Sequence, residues 1–295
     1  MSTPLEPASD TAFAEFAPAP LATAVAIIDP DDPPWGVLAG LFVWLASIVL
    51  MILAYVLVVV PYVLLTRGAS VSGQTPESLL ADPNLTLLSV ASVVPSHLAT
   101  LLLVWAVVTN LGKRPFFRTV GWGWSPRFGL WTSAALAVLL LLFGGVLMYF
   151  LGRDVKTPFD EMLESSVQAR FATAFLATAT APLVEELVYR GVLYPALRRA
   201  VGMFGAVVAV ASLFTVVHVS QYYNNPAVIA TVGALAFALT YVRARTGRVL
   251  PCFVIHLVFN GIQCALLVYE YFFPLPQQPA GTQAGLFAAL LPWPF

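Results

Sequence analysis

The chain has 295 residues, of which 59% are hydrophobic and only 10% charged, and its formal net charge is −1. Soluble domains carry about 25% charged residues, so a chain this apolar cannot cover a water-facing surface and reads as one whose solvent is lipid. The near-zero charge, with no block of one sign, gives no basis for nucleic-acid binding.

Residues 1–34 hold no Lys or Arg, which excludes the basic start of a secretory signal. They are rich in Pro and Ala, with Asp29, Asp31 and Asp32 near their end, and read as a disordered tail. Seven apolar stretches follow: Trp35–Leu65, Leu85–Leu111, Phe128–Leu151, Phe171–Leu197, Met203–Val219, Pro226–Val242 and Val249–Phe273. Each must satisfy its own backbone hydrogen bonds in lipid, so each is expected to be a helix. The fold expected is therefore an all-α integral membrane protein. Its transmembrane domain spans residues 35–275 as a bundle of about seven helices. Phe159–Arg170, between the third and fourth stretches, reads as an amphipathic helix on the membrane surface. Residues 276–295 read as a tail or an eighth, partial helix. Cys252 and Cys264 share one apolar segment and are too few for a disulfide framework or a thiolate zinc site.

Basic residues set the expected orientation. Lys113, Arg114, Arg118 and Arg127 follow the second stretch, Arg198 and Arg199 the fourth, and Arg243, Arg245 and Arg248 the sixth. The intervening connections are poorer in Lys and Arg, except that the third holds Arg153, Lys156 and Arg170 beside four acidic residues. This pattern places the even-numbered loops and the N-terminus in the cytoplasm, in a multi-pass cell-membrane protein.

Charged residues inside spans are costly and so mark candidate functional sites. Glu185, Glu186 and Arg190 lie together in the fourth stretch, just after Pro182, which removes a backbone hydrogen bond and favours a kink. Glu186 and Arg190 are one helical turn apart, acid first, the favourable order for an ion pair. Glu185 is rotated about 100° away on a helix of 3.6 residues per turn and is left as a candidate general base. Phe214 and His218 lie in the fifth stretch, and His256 and Asn260, again one turn apart, in the seventh. The remaining histidine, His97, reads as a hydrogen-bonding residue between helices. At a rise of about 1.5 Å per residue, Glu185, His218 and His256 come to comparable depths, which suggests a meeting point in the cytoplasmic half.

The three elements Glu185-Glu186-x-x-x-Arg190, Phe214-x-x-x-His218 and His256-x-x-x-Asn260, in this order, resemble the CPBP family of intramembrane proteases, which includes the CAAX prenyl endopeptidases and their bacterial relatives. The resemblance covers residues 171–269. It implies an endopeptidase acting on membrane-associated peptides or proteins, with an intramembrane polar cavity, enclosed by the helical bundle, that opens to the cytoplasm. Glu185 and His218 would activate water, His256 and Asn260 would hold the oxyanion, and Glu186 and Arg190 would tie the helix. A zinc ion held by Glu185, His218 and His256 is the alternative. A metal-free site is preferred, because no His-Glu-x-x-His supplies two ligands from one helix. Two other readings stay open: a non-catalytic scaffold or immunity-type protein of the same fold, and a proton-coupled transporter, against which stands the lack of an internal repeat.

Overall fold

The computed structural model describes residues 29–67, 82–152 and 155–273. The proposed C-terminal element at 276–295 and most of the N-terminal tail lie outside the described residues. In chain order the helices are α1 (Val37–Arg67), α2 (Pro83–Ala91), α3 (Val93–Thr109), α4 (Phe116–Thr119), α5 (Leu130–Leu151), α6 (Pro158–Ser165), α7 (Val167–Ala179) and α8 (Ala181–Glu186). A π-helical segment, Leu187–Leu193, joins α8 to α9 (Tyr194–Tyr222), and α10 (Pro226–Thr246) and α11 (Leu250–Phe272) complete the bundle. No strand occurs among the described residues.

Among the described residues six continuous helical runs are long and apolar enough to cross a membrane. The chain is a multi-pass all-α membrane protein. Side chains such as Leu57, 72% exposed, and Phe150, 74% exposed, point outward from the bundle, where lipid is the solvent that suits them. The longest run, Val167–Tyr222, has 56 residues and would measure about 84 Å if straight, far more than a bilayer core of about 30 Å. It is folded at Gly202, whose backbone (φ 74°, ψ 174°) lies in a region essentially reserved for glycine. The two halves then run back along each other. The Arg190 guanidinium sits 4.9 Å from the Phe214 ring, although 24 residues of unbroken helix would separate them by about 36 Å. Divided at Gly202, the six runs make seven passes, with the fourth and fifth where the apolar pattern placed them.

The main core forms around the π segment. Val188, Val192 and Leu193 pack with Val43 of α1, Val104 of α3 and Val210 of α9. A second core joins α5, α10 and α11 through Ala137, Leu239, Cys252 and Ile255. Cys252 and Cys264 are buried and free, as the sequence suggested.

The surface-helix expectation is met in part. The helical turn covers Pro158–Ser165, is closed by a Thr157–Asp160 capping box, and turns Leu163 inward. A new helix, α7, then begins at Val167. The end of the proposed disordered tail is held in place. Asp31 pairs with Arg198 and with the fully buried Arg243, Pro30 accepts a hydrogen bond from Arg243, and Pro33 accepts one from Arg199. Arg243 also donates to the carbonyl of Arg190, so residues 29–33 are tied through one side chain to the motif-bearing helix.

Candidate active site

The helix that carries the glutamates is interrupted twice. Thr180 (φ −114°, ψ −40°) ends α7, and Pro182 starts α8 in the first turn, where its missing N–H costs nothing. Immediately after Glu186 the helix widens into the π segment. Such segments leave backbone carbonyls accessible and recur at functional sites. Here the carbonyl of Arg190 takes the Arg243 side chain, and that of Val192 takes the Trp35 indole N–H at 3.0 Å.

Within this segment Arg190 and Glu186 are both fully buried, and Nη1 donates to Oε1 at 2.9 Å, the ion pair expected from the spacing. Arg190 also donates Nη2 to the Ala236 carbonyl at 2.9 Å and Nε to Thr240 at 3.2 Å. Each of its three nitrogens therefore has a protein acceptor, as a charge in a water-poor interior requires. Glu186 has a second partner that sequence spacing did not indicate, His256, whose Nδ1 lies 2.9 Å from the same Oε1. One carboxylate thus links α8 to α11 as well as to the π segment.

Glu185 turns away from this pair. Its side chain is 25% exposed while that of Glu186 is 0% exposed, so adjacent carboxylates have one wet and one dry setting. Glu185 lines a cavity of about 420 Å³ together with His218, His256 and Asn260. The four residues assigned to chemistry therefore face one space, with Glu186 and Arg190 behind it. His256 Nε2 is 3.9 Å from Glu185 Oε2. His218 Nδ1 is 2.7 Å from the Phe214 carbonyl. A carbonyl only accepts, so Nδ1 carries the proton and Nε2 holds the lone pair of the neutral ring. This gives the Phe214-x-x-x-His218 spacing a physical reason, and the Phe214 ring stacks on His218 with centroids 4.6 Å apart. Asn260 donates Nδ2 to the Ala177 carbonyl at 2.9 Å. It stitches α11 to α7 while its amide retains a second N–H.

Two further polar residues line the same cavity. His97 Nδ1 meets the Thr180 hydroxyl at 2.9 Å, the satisfied interhelical role expected of it, yet its ring also belongs to the cavity wall. Tyr222, one turn beyond His218, is 1% exposed, and its hydroxyl has no hydrogen-bond partner among the described residues. Neither was assigned to the site from the sequence, since His97 belongs to no spacing pattern and Tyr222 lies past the end of the apolar stretch.

Among the described residues no three His, Cys, Asp or Glu side chains converge as a metal site would require. Glu185, His218 and His256 share the cavity without forming such a group.

The cavity lies at one end of the bundle. Pro158, Phe159 and Met162 of α6, Ser89 at the start of the second span and Gln221 at the end of α9 form its outer wall, and Asn224 donates to the Lys156 carbonyl there. Residues 29–35, the Gly121 loop and the turns at Arg198 and Gly247 meet at the opposite end, where Val249 N–H bonds the Gly121 carbonyl at 3.0 Å. The sequence reading gave the basic loops and the cavity mouth the same side. These wall residues of the cavity lie at the end away from the basic loops.

Residues 166–262 match the family model described as type II CAAX prenyl endopeptidase Rce1-like. The match runs from the N-cap of α7 to just past Asn260, so it holds all three motifs and every residue assigned to the site, while the first three spans lie outside it. No curated protein and no solved structure gives a significant match.

Proposed function

We propose that the chain is an intramembrane endopeptidase that hydrolyses peptide bonds of membrane-associated substrates. The observation that carries this reading is the single cavity onto which Glu185, His218, His256 and Asn260 converge, within the segment that matches the Rce1-like family.

In the proposed reaction a water sits between Glu185 and His218. Glu185 takes one proton from it, and the His218 Nε2 lone pair orients the other, because Nδ1–H is committed to Phe214. The resulting hydroxide attacks the scissile carbonyl carbon. The new oxyanion accepts N–H bonds from His256 Nε2 and from the second amide hydrogen of Asn260. The C–N bond then breaks as Glu185 returns its proton to the leaving amine, so charge and protons balance. In this step His256 donates through Nε2 with both ring nitrogens protonated, Nδ1–H being committed to Glu186. The apolar part of the cavity wall, including Met51, Val90, Phe159 and Met162, suits a substrate that presents an apolar stretch beside the bond to be cut.

Glu185→Gln tests the proposal. A carboxamide of the same size cannot act as a base, so the variant should fold and localise normally and release no products. Newly formed peptide termini would be compared in membranes from cells producing wild type or the variant. Termini that appear with wild type and vanish with Glu185→Gln are expected. The same termini at equal levels in both would refute catalysis by this site and leave a non-catalytic role for the fold.

A further inference from the structure

Resting on the peptidase reading, we propose that the cavity opens on the extracytoplasmic side of the membrane. Its substrates would then be membrane proteins or peptides whose scissile bond lies in the outer half of the bilayer, or in a segment that has already crossed it.

Two independent observations combine. The first is the distribution of Lys and Arg. The three loops after the second, fourth and sixth apolar stretches carry nine of the 14 basic residues: Lys113, Arg114, Arg118 and Arg127; Arg198 and Arg199; Arg243, Arg245 and Arg248. These loops are drawn to one end by their contacts with residues 29–35 and with each other. The connections after the first and third apolar stretches carry Arg67, Arg153, Lys156 and Arg170 in the sequence. The excess survives a strict count. Setting aside Arg198, Arg199 and Arg243, which pair with Asp31 or Asp32, the first end still holds six. Lys156, at the second end, is itself paired with Glu164. Short loops rich in Lys and Arg remain in the cytoplasm, so the end with residues 29–35 is cytoplasmic.

The second observation is where the cavity lies. Its outer wall is built from Pro158, Phe159, Met162, Ser89, Gln221 and Tyr222, all at the basic-poor end. At the cytoplasmic end the space behind the site is filled. Arg190, Glu186 and Arg243 are fully buried there, with Tyr194 and Leu193 packed around them. A substrate therefore reaches Glu185 past α6 and the end of α9, from outside or laterally from the outer leaflet.

Two single-cysteine reporters test the orientation with the full-length protein. The native thiols, Cys252 and Cys264, are buried, so background reaction is low. Glu161, on α6, and Lys113, in the loop after the second span, are both exposed, and neither belongs to the site. In intact cells a membrane-impermeant maleimide should modify Glu161→Cys and leave Lys113→Cys unmodified, and detergent lysis should make both react. Reaction of Lys113→Cys with protection of Glu161→Cys overturns the proposal, as does any other pattern in intact cells. This assay reads orientation whether or not the protein cleaves anything, so its failure is distinct from failure of the Glu185→Gln comparison. Where products are found, their new termini should map to the extracytoplasmic halves of substrate spans; termini in cytoplasmic segments would overturn the proposal.

Discussion

Replacement of Glu186 by Ala isolates the structural half of the glutamate pair. In the native fold one buried oxygen of Glu186 accepts from Arg190 and from His256, each at 2.9 Å. Without the carboxylate, Arg190 remains fully buried, with the Ala236 carbonyl and the Thr240 hydroxyl as its remaining hydrogen-bond acceptors. The Phe214 face, 4.9 Å from its guanidinium, offers some compensation. Breaking a buried ion pair from one side typically costs about 3–5 kcal/mol, and the surviving contacts argue for the lower figure. At roughly 2–4 °C per kcal/mol for a domain of this size, Glu186→Ala should lower Tm by about 10 °C. A thiol-reactive dye that reports exposure of the buried Cys252 and Cys264 on heating in detergent would measure it. Adding Arg190→Met removes the stranded charge, so the double variant should regain most of the loss. A drop of under about 2 °C in the single variant, less than 1 kcal/mol on the same scale, would refute the reasoning. So would a double variant no more stable than the sum of the two single changes.

The remaining predictions concern other links in the structure. Gly202→Ala should destabilise by about 1–3 kcal/mol from backbone strain alone, because an added Cβ would meet nothing within 4 Å; an unchanged melting curve would show that the chain does not reverse there. Asn260→Ala should lower kcat by about 10²–10³ with KM little changed, and should cost about 1 kcal/mol of stability through the lost bond to Ala177; an effect on stability alone would make Asn260 a helix tie and not an oxyanion donor. Elemental analysis of purified wild type, His218→Ala and His256→Ala should give equal metal content. One tightly held zinc per wild-type chain, lost in both variants, would replace the proposed mechanism.

The spans were legible because each is a local property. A run of apolar side chains long enough to cross lipid has to be helical, whatever its neighbours do, and the breaks coincide with Pro, Gly and charge clusters. The Glu186–Arg190 pair was legible for the same reason, one helical turn being a fixed distance. The link from Glu186 to His256 was not. It joins residues 70 apart, and a sequence period gives the face of each helix but not its rotation against the next. The π segment was likewise hidden. No single residue in Leu187–Leu193 demands it, and its carbonyls are met by Trp35 and Arg243 from distant parts of the chain. Residues 29–33 looked like tail because Pro and Asp disfavour regular structure, yet Asp31 supplies the counter-charge for a buried arginine.

The direction proposed for the cavity differs from the cytoplasmic opening that the resemblance implies, for a related physical reason. Counting rises from the basic helix ends places Glu185, His218 and His256 at similar depths, and a depth near mid-membrane is compatible with a mouth at either end. What decides between the ends is which one is plugged. Arg243 plugs one by spanning from the Arg190 carbonyl to Asp31 and Pro30. The other is bounded by α6, a short helix with no motif, whose Phe159 and Met162 form a wall while leaving Glu185 partly exposed. The motifs thus specify which side chains meet, and the unremarkable segments around them specify from which side a substrate can arrive.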